Sequence, residues 1–242
     1  MTRNMETTNR TTITAQLIQL RTVCRVPRLR SRAQTYREEV ANSVSHGIGL
    51  FFALIAAPLL VANALRSGDA HRIIACSIYA STIVLMFAAS MVYHGLPRGR
   101  AKFVCRIIDH GAIFLLIAGS YTPFMLGALW GPWGWTLLAF VWTFAIIGVV
   151  LTAISRVRYP TLSTLVYLLL GWMIVVGLKP LWLHMNHWGL VWIAAGGLAY
   201  TLGVAFFAAD RLRYSHLVWH LFVLMGCACH YVAVTLYAFP SP

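Results

Sequence analysis

Residues 216–238 read HLVWHLFVLMGCACHYVAVTLYA, a run of 23 positions without one Asp, Glu, Lys or Arg. At about 1.5 Å of rise per residue, such a run is roughly 35 Å long as a helix, enough to cross a hydrocarbon core about 30 Å thick. The strands of a membrane barrel alternate apolar and polar positions over about ten residues, and this run does not. It reads as a transmembrane helix, and six similar runs precede it. The apolar pattern predicts seven spans in one all-α membrane domain, roughly 44–65, 72–95, 104–126, 133–154, 161–178, 189–208 and 216–238.

Composition agrees with that reading. The chain is 60% apolar and 10% charged, against about 25% charged in a soluble domain. The net charge of +13 could point to nucleic acid, but its placement argues against such a partner. Sixteen of the nineteen Lys and Arg residues fall before the first predicted span or in the loops after spans two, four and six. Only Arg66, Arg72 and Lys179 fall on the other side. By the positive-inside rule the N-terminus is expected in the cytoplasm and the C-terminus outside, opposite to the arrangement of G-protein-coupled receptors. Residues 1–37 carry eight arginines and one acid, Glu6. They lack the apolar core of a secretory signal and read as a disordered basic tail, able to touch anionic lipid, or as an organellar transit peptide. The seven-span domain is expected over 38–242.

Smaller features fit a membrane bundle. Glu38, Glu39 and Asn42 or Ser43 suit the start of the first helix, and Pro58 is placed to kink it. Trp130, Trp133, Trp135, Trp182 and Trp188 form an aromatic belt at one surface. Ala195, Ala199 and Gly203 recur every four residues in span six, a spacing that lets helices approach closely. Five cysteines are an odd number, and none lies in an outer loop, so a disulfide framework is not expected. Cys227 and Cys229 read as small packing residues rather than ligands.

Alternating spans bring four ionisable residues to one side. His94 ends span two, Asp109 lies in the first turns of span three, and His216 and His220 lie in the first two turns of span seven. His216 and His220 are four apart, on one helix face and about 6 Å from each other along the axis. Ionisable groups at membrane depth are costly, which makes them a functional site by default. Three imidazoles and a carboxylate suggest a metal, most simply zinc with an open position for water. Asp109 could ligate directly or hold that water, and Ser90, one turn before His94, could orient the water or a substrate carbonyl. His46 is either an outer neighbour of the metal or a helix-terminus residue. His230 is about 15 Å deeper than His220 and reads as a buried hydrogen-bonding residue. His110 points about 100° away from Asp109 and reads as packing. His184 and His187 lie in an outer loop. Asp210, beside Arg211 and Arg213, reads as part of a solvated charge cluster. Pro123 is expected to bend its helix and widen the cavity there.

The segments Glu38-Glu39-Val-Ala-Asn42-Ser-Val-Ser-His46-Gly47, Ser90-Met-Val-Tyr93-His94, Asp109-His110-Gly-Ala-Ile, Gly119-Ser-Tyr121-Thr-Pro123 and His216-Leu-Val-Trp219-His220 resemble the hemolysin III branch of the progestin and adipoQ receptor family. The likeness covers about 38–238 and is closer to the bacterial members than to the hormone receptors. It implies seven helices, an inside N-terminus and a zinc site near the cytoplasmic face. The family's pattern of Ser-x3-His, Asp and His-x3-His falls on Ser90, His94, Asp109, His216 and His220. It implies zinc on the three histidines and water held by the aspartate. Bacterial members of the family are linked to membrane homeostasis, and eukaryotic ones resemble ceramidases.

These readings converge on a zinc-containing protein of membrane lipid homeostasis, in a bacterial inner membrane, with lipids as partners and hydrolysis of a lipid amide or ester as its chemistry. The alternatives are a membrane-state sensor with structural zinc, a pore-forming hemolysin and a bis-histidine haem protein. No span carries the continuous polar stripe a pore needs.

Overall fold

The structure is a computed structural model, and it describes residues 32–239. The expectations for residues 1–31 therefore lie outside the described residues. Helix α1 runs Tyr36–Ser67, α2 Ala70–Gly95, α3 Arg100–Leu126 and α4 Pro132–Ser155. Then follow α5 Pro160–Gly171, a 3₁₀ segment Trp172–Gly177 and α6 Leu178–His184, which together make one crossing. Helices α7 His187–Ala208 and α8 Ser215–Tyr237 complete the bundle. Seven helical segments are long and apolar enough to cross a membrane, and no strand occurs among the described residues. The residues from Gln34 onward form one compact unit.

Consecutive crossings pack as neighbours, and α1 packs on α8 to close the ring. The surface is inside-out relative to a soluble protein. Leu54, Leu59, Ile154, Leu169, Leu198 and Leu236 are all exposed, as lipid-facing side chains should be. Trp130, Trp133, Trp135, Trp182 and Trp188 are exposed as well, in or beside the two connections expected to share one end. Cys76, Cys105, Cys227 and Cys229 are free, and Cys227 accepts a hydrogen bond from the Tyr200 hydroxyl at 3.2 Å.

Two local departures from expectation have clear causes. The first helix starts at Tyr36, not near 44, because Thr35 and Glu38 form a capping box. The Glu38 carboxylate accepts from the Thr35 amide at 2.9 Å and the Thr35 hydroxyl at 2.8 Å. Asn42 and Ser43 are thus inside the helix and not its cap. The fifth crossing is broken at Trp172–Gly177. In an unbroken α-helix the Ile174 amide would donate to the Leu170 carbonyl. Here the Tyr121 hydroxyl from α3 sits between them. It accepts from Ile174 N at 2.7 Å and faces the carbonyls of Leu170 and Gly171 at 2.9 and 2.7 Å. A side chain inserted into the ladder is a recognised cause of helix interruption.

Span six also packs through a slightly different stripe. Its buried face is Gly189, Ile193, Gly196, Ala199 and Gly203, with Ala195 only half-buried. At Gly196 a Cβ would stand 2.3 Å from the His230 ring, so only glycine lets α7 lie that close to α8. Pro123 is buried within a continuous α3. Its neighbours Tyr121 and Phe124, not Pro123 itself, reach the interior cavity.

Candidate metal centre

The alternation of crossings brings the start of α1, the end of α2 and the starts of α3 and α8 to one end of the bundle. Ser43 of α1 donates to the Met91 carbonyl of α2 at 2.9 Å, which binds those two ends together. Glu38 accepts from the Tyr214 amide at 2.9 Å. Tyr214, at φ 58°, is the left-handed residue that turns the chain into α8. Glu38 thereby sets where His216 and His220 begin.

His94, His216 and His220 converge. Each offers one ring nitrogen, and those atoms all lie within 4.8 Å of one another. His94 and His220 are buried and His216 is half-buried. The His94 and His216 Nε2 atoms are 3.3 Å apart. Tetrahedral bonds of about 2.0–2.1 Å to one metal ion would separate two nitrogens by about 3.3–3.4 Å. Two neutral imidazoles at that spacing can share a proton or a cation.

The outer nitrogens decide which it is able to be. His94 Nδ1 lies 2.8 Å from the Glu39 carboxylate, which is itself 3.1 Å from the Lys102 ammonium. A carboxylate can only accept, so Nδ1 carries the proton and Nε2 presents its lone pair inward. His220 Nδ1 lies 3.2 Å from the Asn42 carbonyl and 3.0 Å from the Ser45 hydroxyl. Ser45 spends its own proton on the same carbonyl at 2.8 Å. His220 therefore also holds its proton on Nδ1 and turns Nε2 to the centre. Carboxylate and carbonyl partners of this kind fix the tautomer of metal-ligating histidines. The residues fit a three-imidazole metal shell.

Asp109 is not one of the converging group. It is buried, its carboxylate lies 3.4 Å from His110 Nδ1, and it lines the same cavity as His46, Ser90, His216 and His220. Ser90 is buried one turn before His94. His46 lies against the cluster itself. Its ring stacks on His220 with centroids 3.6 Å apart, and neither of its nitrogens has a hydrogen-bond partner. His110 does not point away, as its sequence position suggested. It lines the cavity, and its Nδ1 donates to the Arg106 carbonyl at 2.9 Å. His230 hydrogen-bonds the Ile193 carbonyl at 3.3 Å as expected, and it too forms part of the cavity wall. His184 and His187 stay outside the site, and Asp210 is exposed.

The cavity has a volume of about 290 Å³. It runs from the histidine cluster between α2, α3 and α8 to Leu181 and Leu190 near the other end, and most of its wall is apolar. Trp172, Val175 and Leu178 line it and are also exposed on the outside of the bundle. Their wall, beside α7, is one side chain thick. Trp172 Nε1 donates to the Thr201 hydroxyl at 3.0 Å across that wall.

The molecule is therefore a seven-helix, multi-pass integral membrane protein whose one buried histidine cluster among the described residues could hold a metal ion. It belongs to the haemolysin-III related family, whose model matches residues 34–231. It is 39% identical over 208 residues to hemolysin-3 of Bacillus cereus, covering 86% of this chain and 95% of that protein. It is 36% identical over 208 residues to a hemolysin-3 homolog of Bacillus subtilis (strain 168), covering 98% of it. It is also 29% identical over 220 residues to the human monocyte to macrophage differentiation factor, covering 87% of that chain. These relatives bear out the resemblance drawn from the five segments.

Glu39, Ser45 and Lys102 were not legible as site residues. Glu39 looked like a helix-start acid and Lys102 like one more inside charge. One signal was present: Glu39, Asn42 and His46 recur at helical spacing, a polar stripe on one face of an otherwise apolar helix.

Proposed function

We propose that the metal is zinc and that the protein hydrolyses an amide or ester of a membrane lipid, as part of membrane lipid homeostasis. The observation that carries this reading is a three-imidazole cluster, two of whose rings, His216 and His220, line the head of an apolar cavity of about 290 Å³. Three nitrogen ligands with a fourth position open are the ligand set of catalytic rather than structural zinc. Zinc bound in this way lowers the pKa of its water to about 7.

The remaining roles fall to the chain's own groups. Glu39, Ser45 and the Asn42 carbonyl hold His94 and His220 in the ligating orientation. Asp109 accepts and positions the proton, from a buried carboxylate beside the cluster. Ser90 steadies the substrate carbonyl oxygen. The apolar cavity takes an acyl chain, and the thin wall at Trp172 gives a route to it from the bilayer. The basic end of the bundle, with the cluster, faces the cytoplasm in a bacterial inner membrane.

The test is lipid turnover by the purified protein in defined bilayers, measured with zinc content and melting temperature on Asp109→Asn. The carboxamide cannot accept a proton, so turnover should fall by about 10²–10⁴-fold while zinc is kept. Undiminished turnover in zinc-replete Asp109→Asn would remove the hydrolytic mechanism and leave a structural zinc in a membrane sensor.

A further inference from the structure

A second site lies outside the cavity, where α2 hands over to α3. Arg98, Lys102 and Arg106 are spaced by four residues and line one crevice of about 210 Å³ with Tyr93, Gly99 and Phe103. No acidic side chain lines it. The chain has only six acids, and among the described residues no carboxylate pairs with Arg98 or Arg106. Lys102 is different. Its three protons are taken by Glu39 at 3.1 Å, the Tyr93 carbonyl at 3.0 Å and the Leu96 carbonyl at 3.1 Å. The two guanidiniums are thus the groups left to meet an anion. Gly99 lines the crevice and adds no side-chain cap to α3, so the first amides of that helix are left without a capping side chain beside it.

Planar guanidiniums with unused donors match the paired oxygens of a phosphate or a carboxylate, and at a membrane surface the abundant bearer of such oxygens is a phospholipid headgroup. The surroundings say what carries the phosphate. Phe103, Val104 and Ile108 are exposed on α3 directly beside the crevice, an apolar strip along which acyl chains can lie. We infer that the crevice between Arg98 and Arg106 binds the phosphate headgroup of an anionic membrane lipid. Such a lipid would sit against Lys102, whose ammonium holds Glu39, which in turn holds His94. This binding does not depend on what chemistry the metal centre performs.

The experiment uses the full chain in detergent, with retained lipid counted by native mass spectrometry. Phosphatidylglycerol and phosphatidylcholine are offered in turn, and sn-glycerol 1-phosphate is added as a competitor without acyl chains. The double variant Arg98→Gln/Arg106→Gln is compared with Arg211→Gln/Arg213→Gln, which loses the same charge elsewhere. The wild type should retain phosphatidylglycerol over phosphatidylcholine. The crevice variant should bind it about 10- to 30-fold more weakly, and the control should stay within about twofold. Arg98→Gln alone, at an exposed position, should give an intermediate loss, and matching melting temperatures would show that the fold is kept. Equal losses in both double variants, or none in the crevice variant, would overturn the site. Displacement of the lipid by glycerol phosphate at equal concentration would overturn the lipid assignment in favour of a free phosphate.

Discussion

Glu39 links the polar surface of the bundle to its histidines. Its carboxylate accepts from His94 Nδ1 at 2.8 Å and pairs with the Lys102 ammonium at 3.1 Å, so it orients the His94 ring and turns Nε2 toward the cluster. Glu39→Gln removes the charge while leaving an oxygen that can still accept. Metal affinity should weaken about 10- to 100-fold, read by competition with a chelator of known affinity. An unchanged dissociation constant would mean that His94 needs no such partner. His94, His216 and His220 were legible in the sequence because helical spacing and the alternation of spans suffice to bring them together. Glu39 and Ser45 were not, because their roles depend on which atoms face across from α1 to α2 and α8. A glutamate in a first helical turn has an ordinary explanation in the helix dipole, which hid the specific one.

The fifth crossing shows how one helix shapes another. The 3₁₀ segment Trp172–Gly177 contains no proline, though Gly171 precedes it, Gly177 ends it and Pro180, which cannot donate to the Val176 carbonyl, follows within one turn. What the local sequence does not show is the hydroxyl of Tyr121, 53 residues earlier, which takes the Ile174 amide out of the ladder. Tyr121→Phe should destabilise the protein by about 1–3 kcal/mol, the usual consequence of leaving buried polar groups without partners. A thermal melt of the purified variant, with its helical content, measures this. An equal melting temperature with greater helicity would show that the segment closes into a regular α-helix instead. The existence of seven crossings was readable because apolar runs of membrane length are a strong signal. The start of α1 at Tyr36 was not, since Glu38 and Glu39 resemble a boundary when in fact they lie in the first turn behind the Thr35 cap.

Across the bundle, charge and site share one end. Of the twelve Lys and Arg residues from Gln34 onward, nine fall at the start of α1, around the α2–α3 junction, after α4 or after α7, and the histidine cluster lies at that end with the starts of α3 and α8. If that side is the cytoplasm, a reporter fused after Pro242 should read as non-cytoplasmic and one placed beside Arg211 as cytoplasmic. The reverse pattern would put the histidine cluster on the outer face. The proposed chemistry requires that His94, His216 and His220 hold a metal ion. Metal analysis of the protein purified without added metal tests that claim most directly. About one zinc per chain is predicted for the wild type, with most of it lost in His216→Ala/His220→Ala. Stoichiometric zinc surviving in that double variant, or a wild type that binds none when zinc is supplied, would contradict it.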